Sequence, residues 1–214
     1  MKNHLVELLK DSSIELDSSV FSESAAEDLL LYLTEWERWN AKINLTAESD
    51  ALSVANKHIY ESLQYTRAIA STGSLVDVGS GAGFPGIPVK IILPKLEIVL
   101  IESQRKRANF LKTAIHSIGL SKIQCVHGRA EDFPAFVGKY DFVTLRHVLE
   151  PHLSLQLGAS LLHPGGSLIL QTSRENSFQF DFLDSLWLSP VDEIFFKRSS
   201  SSHSKIMVFK RNSS

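Results

Sequence analysis

The segment from Leu75 to Gly86 has the residue types of a ligand-binding loop: it reads LVDVGSGAGFPG, with four glycines after an acidic residue. Glycine has no Cβ, so its backbone can come within contact distance of a ligand where another residue would clash. The segment begins with an apolar, strand-like run, and ligands of open α/β sheets bind beyond the carboxyl ends of the strands. The sequence therefore predicts that a ligand binds at this turn.

The loop matches two binding patterns at once. Gly81, Gly83 and Gly86 spell G-x-G-x-x-G, the fingerprint of dinucleotide-binding folds. Asp77, followed by Gly79, Gly81 and Gly83, spells D-x-G-x-G-x-G, the first motif of class I methyltransferases, which bind S-adenosylmethionine. A third interpretation is structural only: the glycines make a tight turn, and Asp77 caps the next helix.

Three features favour S-adenosylmethionine over a dinucleotide. A carboxylate at Asp77 would repel a pyrophosphate, but it suits the cationic amino-acid end of S-adenosylmethionine. Pro85 and Pro88 remove backbone N–H donors that a pyrophosphate needs. Glu131 and Asp132 follow the third predicted strand, where the adenine of S-adenosylmethionine is usually bound.

Glu102 adds a second argument for ligand binding. It ends the second predicted strand, where a carboxylate suits the ribose hydroxyls of either ligand. Glu102 and Glu131 therefore fall at the ends of successive strands, which favours a binding site over a plain tight turn.

An alternation of strands and helices after Gly73 positions these residues. Predicted strands cover 75–79, 97–103, 123–128, 140–146 and 167–173; predicted helices cover 103–119 and 153–162, with a shorter one around 88–93. Such alternation implies right-handed crossovers and a mostly parallel sheet. HPGG at 163–166 predicts a turn, and segments 193–198 and 205–211 predict a terminal hairpin around a serine-rich loop at 199–204. The predicted fold class is α/β: a Rossmann-like class I methyltransferase, with a mostly parallel seven-stranded sheet and a C-terminal antiparallel hairpin.

Before Gly73, apolar residues recur at helical spacing. One predicted helix begins near residue 22 and turns Trp36 inward. A second runs roughly from 50 to 70 with Leu52 and Ile59 inward. We therefore predict an N-terminal helical cap, residues 1–72, and a methyltransferase domain, residues 73–214.

Composition limits the classes of partner. The formal net charge of −2 lacks the basic excess of proteins that wrap naked nucleic acid. The single cysteine, Cys125, excludes a disulfide within the chain and a cysteine-based zinc site, so no metal is expected. The first residues do not form a signal peptide, and no apolar stretch approaches the roughly 20 residues of a membrane helix. We expect a cytoplasmic protein without a membrane segment.

Five segments in order resemble the RsmG (GidB) family of bacterial small-subunit rRNA methyltransferases. They are WNAKINLTAESD (39–50), KHIYESL (57–63), VDVGSGAGFPGIPVKIILP (76–94), RKRANFL (105–111) and RAEDF (129–133). The P-G-I-P end of the glycine loop is the most specific of these matches. The resemblance covers roughly residues 36 to 170.

The resemblance implies a reaction and a set of cofactor contacts. The reaction is transfer of a methyl group from S-adenosylmethionine to N7 of guanine-527, in the 530 loop of 16S rRNA. Cofactor contacts of the family carry over to five positions: Gly79, Phe84, Ala130, Glu131 and Arg146. The loop argument adds Asp77, Gly81, Gly83 and Glu102.

Arg146 ends the fourth predicted strand, where it would orient the reactants by holding the methionine carboxylate or donating to guanine O6. The alternative is a surface salt bridge. Guanine N7 has an exposed lone pair and no proton to lose, so transfer needs orientation more than a general base.

Contacts with RNA are expected from Lys57, His58 and His147, with His147 or Phe84 as stacking partners for the base. The acidic balance favours a ribosomal particle over free RNA as the substrate. No D/N-P-P-Y/F motif is present, which argues against transfer to adenine N6 or cytosine N4.

Three positions depart from the family pattern. Glu61 stands where the family usually has Asp, His147 where it has a small residue, and Gln171–Thr172 where it has Lys-Gly. The change at Glu61 is mild, whereas His147 and Gln171 leave open a methyltransferase of the same fold with another substrate. Apart from these departures, a non-catalytic nucleotide-binding Rossmann module is a second alternative.

Overall fold

The computed structural model describes residues 1–14, 23–146, 150–173, 178–197 and 203–213. Within them lies one seven-stranded sheet with the order β3-β2-β1-β4-β5-β7-β6. The strands are β1 (Ser74–Val78), β2 (Glu97–Glu102), β3 (Ile123–His127), β4 (Tyr140–Arg146), β5 (Leu162–Ser173), β6 (Leu188–Lys197) and β7 (His203–Arg211). The first five strands run parallel, and β7 pairs antiparallel with β5 and β6. The predicted sheet and its C-terminal hairpin are confirmed.

The helices lie on both faces of this sheet. They are α1 (Lys2–Leu9), α2 (Glu23–Ile43), α3 (Ala51–Val54), α4 (Tyr60–Gln64), α5 (Gly86–Ile92), α6 (Arg105–Ile118), α7 (Pro151–Leu161) and α8 (Phe180–Ser185). A π-helical turn, Ala55–Ile59, joins α3 to α4. Local sequence sets several of the ends: the Asp50 side chain caps α3 by accepting from Ser53 N at 2.8 Å, and Gly119 ends α6 in the left-handed conformation.

The N-terminal helices and one face of the sheet share a single hydrophobic core. Trp36 and Ile59 are buried in the same cluster as Leu75, Ile98 and Ile169. The opposite face packs against α7 and α8 through a second cluster that includes Val143 and Leu155. Trp36 is 1% exposed, as its predicted core position requires. Residue 73 therefore separates the N-terminal helices from the alternating strands and helices, and the two segments share one hydrophobic core.

Two local predictions are wrong. Leu52 is 46% exposed, because α3 turns Ala51 and Val54 inward and the π turn that begins at Ala55 then breaks the regular helical spacing. HPGG lies inside β5 rather than in a turn before it. The pairing there jumps from Tyr140 with Leu162 to Phe142 with residue 167, so the strand bulges at the glycines.

Other elements gave no recognised sequence signal. The spacing arguments did not identify α1, α8 or the first half of β6. Most of the predicted loop at 199–204 lies outside the described residues. In the described ranges, no helix combines the length and the apolar character needed to cross a bilayer.

Candidate functional site

The carboxyl ends of four neighbouring strands bring the predicted site residues to one edge of the sheet. The glycine loop follows β1, Glu102 ends β2, Ala130 and Glu131 form a 3₁₀ turn after β3, and Arg146 ends β4. Strand order reverses between β1 and β4 at this edge. Such a reversal opens the crevice in which doubly wound sheets bind ligands.

The glycine loop is tightly folded against β2. The backbone N–H groups of Gly79 and Ser80 both donate to the carbonyl of Ile101, at 2.9 and 3.0 Å. Gly83 has a φ of +92°, and a Cβ there would lie 2.8 Å from Cδ1 of Ile87. The loop conformation therefore requires glycine at this position.

Glu102 ties the loop to the end of β2. Its Oε2 accepts from Gly81 N at 2.8 Å, and its Oε1 accepts from Gln104 N at 2.7 Å. Glu102 is only 4% exposed, so these charge-assisted hydrogen bonds are shielded from water. They use about two of the roughly four lone-pair sites of the carboxylate, and the others remain available to a hydroxyl.

Asp77 lies deeper than the sequence pattern suggests. Its carboxylate is 1% exposed; Oδ1 accepts from the Thr144 hydroxyl at 2.8 Å, and Oδ2 lies beneath Gly86. Burial raises the pKa of Asp77 to about 6, although the hydrogen bond from Thr144 acts in the opposite direction. Asp77 thus supports the loop from inside the sheet, and a direct contact with a ligand would require the loop to move.

A cleft of about 200 Å³ opens beside the loop. Its walls are formed by Val78, Gly79, Ile101, Ser103, Gly128, Arg129, Ala130, Glu131 and Leu157. Three of these side chains are aliphatic, Ala130 is buried and Glu131 is exposed at the rim. A slot with aliphatic walls and with Arg129 and Glu131 exposed at its rim suits a flat heterocycle that carries polar groups.

Arg146 lies in a buried network at the end of β4. Its Nε donates to Oε1 of Gln171 at 2.9 Å. One terminal nitrogen donates to His58 Nδ1 at 2.8 Å and to the carboxylate of Glu61, which is fully buried. Tyr65 also donates to Oε1 of Gln171, at 3.3 Å. The surface salt bridge considered for Arg146 is therefore wrong, since Glu61 is fully buried and the Arg146 side chain is only 11% exposed.

His58 connects this network to the cap and to the glycine loop. Its Nε2 lies 2.6 Å from Oε2 of Glu48, which also pairs with Lys57. Its ring stacks on Phe84, with 5.0 Å between centroids and 21° between planes. Burial and the nearby Arg146 charge lower the pKa of His58, against the opposing effect of Glu48.

Helix α2 also reaches the loop. The hydroxyl of Tyr32 donates to the carbonyl of Ala82, and its ring packs edge-on against Phe84 at 5.5 Å. Tyr32 is completely buried. Cap residues thus fix both the loop backbone and the Phe84 side chain.

The residues expected to contact RNA differ in their exposure and in their partners. Lys57 is held by Glu48, and His58 is 8% exposed and turned toward Arg146. Phe84, a candidate to stack on the base, is 5% exposed between Tyr32 and His58. His147 lies outside the described residues.

The sequence analysis did not identify several residues of the site. Tyr32 contacts the carbonyl of Ala82, and Thr144 contacts Asp77. Their partners are 50 and 67 residues away, so only the fold brings each pair together. Glu48 contacts His58 and lies within the segment 39–50, but no role was predicted for it. Glu61 and Gln171 stood out as departures from the family pattern, and both contact Arg146.

A wider surface groove of about 460 Å³ lies at the opposite edge of the sheet, between Ser74, Glu97, Lys122 and Tyr140. These residues mark the amino ends of strands, away from the glycine loop. Among the described residues, no group of three or more His, Cys, Asp and Glu side chains is arranged to hold a metal ion.

Comparison with protein families gives one extended match. The family model of rRNA small subunit methyltransferase G (GidB) matches residues 25–189. The ribosomal RNA small subunit methyltransferase G of Desulfitobacterium hafniense is 40% identical over 143 residues, which cover 65% of this chain and 59% of that protein. The protein of the same name from Streptococcus pyogenes is 38% identical over 163 residues, 73% of this chain and 69% of that protein.

Solved structures of other proteins share the fold at low identity. TYW2 of Pyrococcus horikoshii, solved in complex with MeSAdo, has a TM-score of 0.59 and 16% identity, covering 72% of this chain and 62% of its own. TrmN of Thermus thermophilus has a TM-score of 0.55 and 19% identity, covering 72% of this chain and 48% of its own. The α/β sheet described above is thus the class I methyltransferase fold.

Proposed function

Because the chain belongs to the rRNA small subunit methyltransferase G family, we propose that it transfers a methyl group from S-adenosylmethionine to N7 of guanine-527, in the 530 loop of 16S rRNA. The family supports a small-subunit rRNA methyltransferase, and the choice of guanine N7 follows from the RsmG resemblance. The observation that carries the proposal is the convergence of the glycine loop, Glu102 and buried Arg146 at one edge of the sheet.

The residues at this edge fit S-adenosylmethionine. The aliphatic cleft walls suit adenine, with Glu131 at the rim and Ala130 against the ring. The remaining lone pairs of Glu102 suit the ribose hydroxyls. A cleft of about 200 Å³ is smaller than the roughly 300 Å³ or more of a site for a whole ligand. We therefore assign the cleft to the adenosine part only, and the loop backbone at Gly79, Gly81 and Gly83 to the rest.

Arg146 is the group that suits the amino-acid end. Its guanidinium offers a planar set of donors for the methionine carboxylate, or for guanine O6 on the substrate side. Asp77 contributes as a positioning residue, because its buried carboxylate supports the loop at Gly86 and does not reach the cleft.

The chemistry asks little of the side chains beyond orientation. S-adenosylmethionine, when bound, would supply a sulfonium methyl group: a nucleophile with a free lone pair attacks the methyl carbon in line with the C–S bond, which breaks as S-adenosylhomocysteine leaves. Guanine N7 loses no proton in that step, so no general base is required. His58 is not available as one, because its Nδ1 already accepts from Arg146. The residues of the site therefore act by binding, orienting and excluding water.

The substrate is proposed to be 16S rRNA within a small-subunit particle. A net charge of −2 supplies little of the counterion release on which binding of free RNA depends, and ribosomal proteins would provide further contacts. The cytoplasm is the compartment in which this substrate would be met.

A methyltransferase of the same fold with another substrate is the second candidate. Glu61 and Gln171, two of the departures from the family pattern, both contact Arg146. They therefore alter the group that would orient the reactants.

Two experiments test the proposal. Calorimetric titration should show binding of S-adenosylmethionine and none of NAD; the reverse result would exclude the methyltransferase. Small-subunit particles and 16S rRNA from a strain lacking the endogenous enzyme should then be incubated with the protein and mapped by primer extension and mass spectrometry. Methylation at another position would favour the second candidate. Arg146→Gln should abolish transfer, whereas Lys122→Gln, which removes one positive charge at the opposite edge, should not.

A further inference from the structure

We infer that His58 is a positioning residue for methyl transfer: its Nδ1 atom holds the guanidinium of Arg146 in the orientation in which Arg146 meets the ligand. The inference rests on the proposed function, because this orientation matters only if a ligand binds beside Arg146.

The hydrogen bonds define where the proton on His58 sits. An arginine side chain has only donors, so His58 Nδ1 must accept from the Arg146 nitrogen 2.8 Å away. The single ring proton is then on Nε2 and is donated to Glu48 at 2.6 Å. Glu48 in turn accepts from Lys57. His58 is therefore a neutral imidazole in one defined tautomer.

Three acceptors from different elements hold the guanidinium. Gln171 on β5 contacts Nε, while His58 in the π turn and Glu61 on α4 contact a terminal nitrogen. A planar group held at two nitrogens has little freedom to rotate. Because His58 and Gln171 are neutral, Glu61 is the one charged group among these three acceptors.

The imidazole is itself fixed by its surroundings. The π turn Ala55–Ile59 brings His58 toward the sheet, and Phe84 from the glycine loop stacks on its ring. π-Helical turns inside α-helices occur frequently at functional sites. One side chain thus connects the cap, the glycine loop and Arg146.

Protonation of His58 should release Arg146. A second ring proton would place the Nδ1–H against the N–H groups of the guanidinium. The charged groups that face His58 are Glu48, Lys57, Glu61 and Arg146. Burial and Arg146 lower the pKa of His58, and the two glutamates oppose them. Activity should therefore fall in acid, at a pH below that at which an ordinary histidine side chain titrates, because the pKa of His58 is lowered.

Two substitutions separate the two ring nitrogens. In His58→Asn the side-chain oxygen lies near the position of Nδ1 and can accept from Arg146. In His58→Gln the amide nitrogen lies near the position of Nε2 and can donate to Glu48. At pH 8 we expect His58→Asn to bind S-adenosylhomocysteine within about threefold of the wild type and His58→Gln to lose about tenfold or more, the size of a lost hydrogen bond to a charged group.

The pH profile supplies a readout that a merely structural role would not move. Glu48→Gln keeps an acceptor for Nε2 but removes a charge that favours protonation. Its acid limb in kcat/KM, expressed relative to its own activity at pH 8, should therefore lie at lower pH than that of the wild type. Asp77, with a pKa of about 6, titrates in the same range, so only a limb that moves in Glu48→Gln is assigned to His58.

Thermal unfolding of each variant controls for loss of the fold. Equal losses of affinity in His58→Asn and His58→Gln, or an acid limb that stays in place in Glu48→Gln, would overturn the inference. The Glu48→Gln profile decides the matter if either histidine variant fails to fold. A wild-type protein that binds neither S-adenosylhomocysteine nor S-adenosylmethionine would instead contradict the proposed function.

Discussion

At the scale of single residues, burial gives two motif carboxylates different tasks. Asp77 is enclosed beneath Gly86 and carries a raised pKa, whereas Glu102 accepts two backbone hydrogen bonds at the cleft. Both sit at or near the carboxyl end of a strand, and both belong to the pattern that predicted cofactor binding. We expect Asp77 to influence mainly stability and loop shape, and Glu102 to influence affinity for the cofactor.

Asp77 should make the folded state less stable as the pH rises. Its pKa is about 6 in the folded protein and 3.8 in an exposed side chain, so the folded state binds more protons between these values. We compare the free energies of unfolding of the wild type and of Asp77→Asn. The excess stability of the wild type over the variant should decrease from about pH 4 to pH 7. At 1.36 kcal/mol per pKa unit, this decrease is at most about 3 kcal/mol. Urea denaturation at several pH values measures this difference.

Asp184→Asn, the same substitution at an exposed position, provides the control for this series. A difference that is flat for Asp77→Asn, or that grows with pH, would show that Asp77 is ionised without cost.

Glu102 should act on affinity. Glu102→Gln keeps the shape of the side chain but replaces one carboxylate oxygen by an NH2 group. This NH2 group then faces the backbone N–H of Gly81 or of Gln104, so one hydrogen bond is lost and two N–H donors face each other. We expect calorimetric affinity for S-adenosylhomocysteine to fall by about tenfold or more. Glu97→Gln, at the exposed start of the same strand, should leave it unchanged. Similar losses in both variants would contradict a specific role for Glu102.

Sequence patterns identified the parts of the site that lie within one segment, namely the glycine loop and the strand-end positions of Glu102 and Arg146. The depth of Asp77 depends on Gly86 and on Thr144 of a neighbouring strand. The roles of these side chains therefore depend on distances across the sheet, which spacing along the chain does not encode.

At the scale of elements, the π turn Ala55–Ile59 explains both a success and an error. Periodicity correctly predicted a helix here with Ile59 inward, but it placed Leu52 inward as well. The backbone hydrogen bonds of a π turn span one residue more than those of an α-helix. The regular helical spacing of inward-facing residues is therefore shifted between the residues before the turn and those after it. The amino-acid composition of this segment does not predict a π turn.

Removing one residue from this turn should restore a regular α-helix and disconnect the site. Deletion of Asn56 would rotate His58 relative to α3 by about 100°, the angle per residue of an α-helix, and break its contact with Arg146. We expect S-adenosylhomocysteine affinity to fall by about tenfold or more. Asn56→Ala, which loses only a side-chain hydrogen bond to His4, should bind normally and serves as the control. Normal binding by the deletion variant would show that the π turn does not position the site.

At the scale of the whole molecule, the cap and the sheet are joined by packing and by the site. Trp36 and Ile59 share one core with Leu75, Ile98 and Ile169, while Tyr32 and His58 contact the glycine loop and Arg146. Strand β1 begins at Ser74, so the change from helices to alternating strands and helices lies next to residue 73, and the division into two domains stays a prediction. Periodicity within the first 72 residues gave no sign that their apolar face would cover the sheet.

The shared core predicts that residues 73–214 do not fold alone. Removing the cap would expose the buried face of the sheet, including Leu75 and Ile169, to water at roughly 25 cal/mol per Å² of apolar surface. The isolated fragment should bind a hydrophobic dye, unfold without cooperativity and fail to bind S-adenosylhomocysteine. The matched control is the full chain cleaved after folding between residues 72 and 73, an exposed bend. It has the same break but keeps the cap, and we expect it to retain both cooperative unfolding and binding. A fragment that unfolds cooperatively and binds S-adenosylhomocysteine would instead establish residues 73–214 as an independent domain.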